Sequence, residues 1–332
     1  MDTHLNTKRI LIFLAFIIVI PWAVVLVIYL TGVMKNNPTQ AGQVANYIVI
    51  MTPALASVVT RLVTREGWGH LMLRPNFRRG WRFYLAVWLL LLLAVIVGGT
   101  VFYLLFPQSF DPNLGVVQKL IASSSSAAAA NPWTVLLTIA VQCIFFGLTI
   151  NAVVSIGEEL GWRAYLLPKL MEHFAGAERA SAPAADPAHA GGFNAAGARK
   201  AALLVGVVWS VWHWPLFFLG AMYGFPYPNL LLYLVFTCSL SVLLSWVTLR
   251  SGSVWPAAVG HGTLSGTAGL AGFLLKGPAI PLVGPDPISL IGGIGYIILA
   301  LVLLFNRKAF AGEKAAGSQE HSTLVLEKTS LV

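Results

Sequence analysis

Eight apolar stretches, each close to the roughly 20 residues that cross a bilayer as a helix, leave this 332-residue chain little choice of fold. They fall near residues 10–32, 44–63, 83–106, 135–158, 201–220, 229–249, 254–274 and 287–306. Lipid offers no partner to a backbone N–H or C=O, so a spanning segment must satisfy its own, and a helix does that. Charged residues make up 10% of the chain, against about 25% in a soluble domain. The expectation is an all-α integral membrane protein, an eight-transmembrane-helix bundle. The first stretch follows Lys8 and Arg9, as a signal peptide would. It is longer than a typical signal core and is followed by no small-x-small cleavage site, so it reads as a true span.

The net charge of +9 reports topology. With the N-terminus inside, the inner segments hold Lys8 and Arg9, the arginines at 61, 65, 74, 78, 79 and 82, then Arg163, Lys169, Arg179, Arg199 and Lys200. Arg250, Arg307, Lys308, Lys314 and Lys328 follow, and only Lys35, Lys119 and Lys276 fall outside. This sorting obeys the positive-inside rule for an even number of spans, with both termini cytoplasmic. The bilayer is the partner that the basic residues imply, and nucleic acid is excluded. Cys143 and Cys238 lie inside apolar spans without a Cys-x-x-Cys spacing, which suits packing better than a disulfide or a metal pair.

Along the chain, residues 1–43 read as an N-terminal span with the first outer loop, 44–275 as the core, and 276–308 as the last span. The polar tail 309–332 is expected to be disordered. The basic, aromatic segment 64–81 is expected on the cytoplasmic headgroups. The Ala-, Gly- and Pro-rich stretch 171–200 lacks the composition of a packed core and is expected to be mostly flexible. The low-complexity stretch 123–132 carries little information.

Of the 12 acidic residues only Glu158 and Glu159 lie in or at the edge of a span, and of seven histidines only His213 and His261 do. Ionisable groups in a membrane are costly and point to function. A single span histidine is commonly explained by an interhelical hydrogen bond; depth argues for more. Glu159 is ten residues from Lys169, His213 thirteen from Lys200 and His261 eleven from Arg250, all roughly 15–20 Å from a cytoplasmic anchor at 1.5 Å per residue. Three helices therefore present their polar groups at one level. Glu159 and Arg163 are spaced i, i+4 for an ion pair, which leaves Glu158, about 100° around the helix, as a candidate general base. Trp209 lies one turn before His213 as an aromatic wall, Pro215 frees a carbonyl nearby, and the small residues of "WPAAVGHGTLSGTAG" permit close helix approach. Ser265 follows His261 by one turn.

These residues resemble known motifs. "EELGWR" (158–163) matches the EExxxR motif of the CPBP family, the CAAX-protease and bacteriocin-processing (Abi) intramembrane proteases. "WSVWH" (209–213) is similar to its FxxxH motif and "HGTLS" (261–265) to its HxxxN/D motif, while "MTPALASVVTRLVTREG" (51–67) resembles a less specific upstream stretch. The resemblance covers roughly residues 40–275. It implies an endopeptidase cutting a membrane-associated protein or peptide, in which Glu158 activates water with help from His213. Glu159 and Arg163 would hold the helix, and His261 with residue 265 would stabilise the oxyanion. Glu158, His213 and His261 could fill three of zinc's four positions, or the same groups could act without metal. Trp209 stands where the motif has Phe, and Ser265 where it has Asn or Asp. The second departure keeps open a non-catalytic Abi-like immunity or scaffold protein. A proton-coupled transporter ranks lower, because no inverted repeat is evident. A bacterial inner membrane is the expected location.

Overall fold

The computed structural model describes residues 3–33, 38–69, 71–124, 130–181, 195–218, 228–280, 282–306 and 308–311. Its first three long helices are α1 (Thr3–Leu30), α2 (Pro38–Val63) and α3 (Phe77–Leu105). A short amphipathic helix, α4 (Gly115–Ser123), buries Val117 and Ile121 beside Leu114, against Val135, Leu136, Phe273 and Leu274.

Next comes a helix of changing pitch. It begins at α5 (Pro132–Phe146), where the Asn131 side chain accepts from the Trp133 and Thr134 amides and Pro132 sits at the first turn, a position that loses no helical bond. A wide π-type turn, Gly147–Asn151, leads into α6 (Ala152–Gly161), and a second, Trp162–Leu166, leads into α7 (Leu167–Ser181). Pro168 explains the second. Its ring would crowd the carbonyl four residues back and it has no N–H to give, and the widened turn just before it relieves both problems. The chain then forms α8 (Ala195–Phe218), α9 (Pro228–Ser251), α10 (Trp255–Thr267) and α11 (Ile294–Phe305).

Among the described residues, six helices are long and apolar enough to cross a membrane: those of α1, α2, α3, Pro132–Ala175, α8 and α9. The two expected spans at 254–274 and 287–306 are shorter as helices. Their 13 and 12 residues reach only about 20 Å, against a hydrocarbon core of about 30 Å. After α10 the chain tightens into the 3₁₀ turn Leu270–Leu274, and Pro285, Pro287, Gly292 and Gly293 delay the start of α11. Two expectations of disorder also need correction. Helix α7 runs on to Ser181 and α8 starts at Ala195, so both ends of the 171–200 stretch are helical; residues 182–194 lie outside the described residues. Ala309 and Phe310 pack into the main core, while the rest of the tail from 312 lies outside the description.

The basic segments meet at one end of the bundle. Asn76 donates to the Gly252 carbonyl at 3.0 Å, Trp255 Nε1 to the Leu73 carbonyl at 2.8 Å, and Arg199 to the Asn306 carbonyl at 2.9 Å. The Asn6 amide donates to the Lys169 carbonyl at 3.0 Å. Next to it, Glu66 is gripped by Lys169 at 2.6 Å, by Arg9 at 3.4 Å and by the Tyr165 hydroxyl at 3.2 Å, with Arg61 at 4.0 Å. The segment expected on the headgroups thus divides. Trp68, Phe77 and Trp81 are exposed, but Glu66 turns inward and pins α1, α2 and α7 together.

Burial opposes the charge on Glu66, yet the Lys169 bond and the charges of Lys169, Arg61 and Arg9 hold its carboxyl below the usual carboxylate range. A carboxylate lowered on folding stabilises fully above its unfolded value, and that stability is lost as pH falls through the folded value. Glu66→Gln leaves buried cations without their counter-charge, a loss of about 3–5 kcal/mol. The variant is expected to unfold at lower temperature in detergent near pH 7, with the gap to wild type closing below about pH 4. A gap that stays constant across that range would contradict the assignment.

Candidate active site

The site is assembled around the stretch between the two wide turns. Glu158 and Glu159 sit on α6 and Arg163 on the second turn, and both Glu159 and Arg163 are fully buried. Arg163 Nη1 donates to Glu159 Oε1 at 3.2 Å, the i, i+4 pair that the spacing implied. The same Oε1 lies 2.9 Å from Nδ1 of His261, which α10 delivers from across the bundle. Since a carboxylate oxygen accepts, His261 Nδ1 carries the hydrogen. The opposite ring nitrogen, Nε2, faces Glu158 Oε1 across 3.9 Å.

Glu158 is held from its other side. Its Oε2 accepts from Trp209 Nε1 on α8 at 2.7 Å and, more distantly, from Trp162 Nε1 at 3.4 Å. The Trp209 ring lies under the Arg163 guanidinium at 4.6 Å and meets the His261 ring edge-on at 5.1 Å. His213 joins through the backbone. Its Nδ1 donates to the Trp209 carbonyl at 3.0 Å, and its ring packs against Trp212 and Tyr233.

Five of the six residues singled out in the sequence are therefore connected: Glu158, Glu159, Arg163 and His261 directly, and His213 by way of Trp209. Ser265 is different. It is exposed on α10, one turn beyond His261, and is not among the residues bonded within the cluster. The trio named for zinc in the sequence is Glu158, His213 and His261. No group of three His, Cys, Asp or Glu among the described residues converges on a common metal position. The Trp209 carbonyl holds His213 Nδ1 and leaves Nε2, and the Trp209 indole packs against both imidazoles.

The helices can come this close because of glycine. A Cβ on Gly262 would collide with backbone atoms of Ala152, Gly147 and Asn151, and one on Gly266 would meet the Cys143 carbonyl oxygen. Facing α2, Gly157 packs on Met51 and Gly161 on Pro53. Met51 and Pro53, from the start of the stretch 51–67, thereby pack on the helix that carries the acidic pair. Trp212 Nε1 also donates to Thr52 there, at 2.9 Å. The indole donors to Glu158 were not anticipated. Trp162 could have been found, because it follows Glu158 by four residues, one helical turn.

Comparison with protein families adds one decisive finding. Residues 133–267 match the family model described as type II CAAX prenyl endopeptidase, Rce1-like. This segment is similar to the domain of that family. The matched segment spans α5 to α10 and so contains every member of the polar cluster just described. No curated protein matches the chain.

Within the matched segment, the packing of α10 on the first wide turn is what carries His261 to Glu159. Gly262→Ala must force these backbones apart, at a cost of at least about 1–3 kcal/mol. It is expected to lower the thermal unfolding temperature in detergent, whereas Gly269→Ala, with open space around its Cβ position, should leave it unchanged. Equal stability of the two variants would show that the close approach is not needed.

Proposed function

We propose that this chain is an intramembrane endopeptidase that hydrolyses a peptide bond in a membrane-associated protein or peptide, using water activated by Glu158. The observation that carries this reading is the 3.9 Å separation of Glu158 Oε1 and His261 Nε2. It is too long for a direct hydrogen bond and suits a bridging water. Glu158 is free to act as base because Arg163 is already paired with Glu159.

In the proposed reaction Glu158 Oε1 takes a proton from the water as its oxygen attacks the scissile carbonyl carbon. The carbonyl π electrons move onto the oxygen, where His261, acting as the imidazolium with its Nδ1–H held by Glu159, stabilises the negative charge through its Nε2–H. Collapse of the tetrahedral intermediate breaks the C–N bond, and the proton held by Glu158 passes to the departing amine. His213 assists through Nε2, the nitrogen left over by its bond to the Trp209 carbonyl. Ser265, one turn beyond His261 and exposed, is proposed to offer a second donor to bound substrate. The family's name points to prenylated substrates; the class proposed for this chain is the broader one.

The same reading places the site toward the cytoplasmic face of a cell membrane, bacterial by expectation, with both termini inside. The short helices α10 and α11, extended by the irregular segments beside them, serve as the seventh and eighth crossings.

Cleavage of a quenched fluorescent peptide carrying a lipid anchor tests the proposal, using protein purified in detergent. Glu158→Ala is expected to reduce kcat by about 10²- to 10⁴-fold while the protein stays folded. A folded wild type that cuts no peptide, paired with a Glu158→Ala variant that keeps its cellular phenotype, would instead indicate a scaffold. Elemental analysis of the same preparations decides on zinc. Stoichiometric metal, lost in Glu158→Ala, His213→Ala and His261→Ala alike, would overturn the metal-free scheme.

A further inference from the structure

We infer that Trp209 is a positioning residue for Glu158: its indole N–H captures one carboxylate oxygen and thereby fixes the other as the base. The inference rests on the catalytic reading of Glu158 given above.

A glutamate carboxylate turns easily about its terminal bond, so either oxygen could face His261. Here both available indole donors fall on Oε2. Trp209 does so at 2.7 Å and Trp162 at 3.4 Å, which makes Trp209 the dominant partner. Oε1 is left toward His261 Nε2. Trp209 is itself well held. It is 2% exposed, Arg163 covers its face and His261 its edge, and its carbonyl anchors His213. One residue thus sets the relative placement of the carboxylate, the guanidinium and both imidazoles.

The side chain at this position is where the chain departs from the motif it resembles. Phenylalanine would supply the ring, with its packing against Arg163 and His261, but no N–H. A hydrogen bond to a buried charge is a strong one, and the departure adds a donor where the carboxylate has few. Trp209 therefore couples the orientation of the base to the helix that carries His213.

Trp209→Phe is the direct test, run in the peptide-cleavage assay beside wild type, Glu158→Ala and Trp214→Phe. The last variant removes an indole N–H from the same helix, one bonded to Ser210 Oγ at 3.3 Å, and should behave as wild type. Trp209→Phe is expected to lower kcat by about ten- to a hundredfold with KM unchanged. Trp162→Phe should cost less, in keeping with its longer bond. If Trp209→Phe proves unfolded, benzothienylalanine at position 209 keeps the bicyclic shape and lacks only the donor, and the same loss is expected. Wild-type kcat in the folded donor-free protein, with Glu158→Ala inactive, would overturn the positioning role and leave the catalytic reading intact. An inactive wild type, or an active Glu158→Ala, would remove that reading and this inference with it.

Discussion

The triad of Arg163, Glu159 and His261, its ion pair fully buried, is the constraint around which the rest of the structure is arranged. Neither partner of its ion pair has exposed side-chain surface, so both charges have lost their water. Attraction alone does not compensate such a loss; close geometry and further bonds must. Glu159 Oε1 meets this demand by taking Arg163 and His261 together, and Trp209 adds an aromatic face for the guanidinium. Glu159 Oε2 and the Arg163 Nε and Nη2 atoms are left without hydrogen-bond partners among the described residues. The arrangement is therefore retained at a cost in stability, as is common where structure serves chemistry.

Much of the backbone follows from holding this triad. Two wide turns bracket the acidic pair, and such turns frequently mark functional places in helices. The first receives α10 at Gly262, so that His261 arrives within hydrogen-bond distance; the second carries Arg163. At the basic end of the bundle a second buried cluster works in the same way, with Glu66 joining Arg9, Lys169 and Tyr165. Tyr165 and Arg163 belong to the same wide turn. The two polar clusters thus share an element, and the turn that aims Arg163 is also tied to α1 and the loop after α2.

Reading from sequence succeeded where local spacing fixes geometry. The i, i+4 relation of Glu159 and Arg163 holds on any helix, and the scarcity of ionisable residues in apolar stretches singled out both carboxylates and both histidines. It was less complete where the outcome depended on neighbours. Ser265 shares a helix face with His261 yet lies exposed. His213 reaches the cluster by way of Trp209, one turn away as the spacing implied, but that Trp209 in turn bonds Glu158 is a long-range contact that no spacing rule reveals. The expected spans at 254–274 and 287–306 contain enough apolar residues, but glycine and proline shorten their helices. Ala309 and Phe310 looked like the start of a polar tail and instead pack in the core.

By itself, the sequence determined that the chain is helical and belongs in a membrane, because apolar segments of that length can satisfy their backbone in lipid only as helices. It also determined which ionisable residues the membrane region holds and which acidic residue Arg163 can reach. Tertiary structure alone decided that His261 binds Glu159 and that the Trp209 indole claims one oxygen of Glu158. It decided, too, that Glu66 leaves the surface for a knot of cations. These contacts join residues far apart in the chain, and their distances depend on how closely glycine-lined helices approach, a quantity that no local pattern encodes.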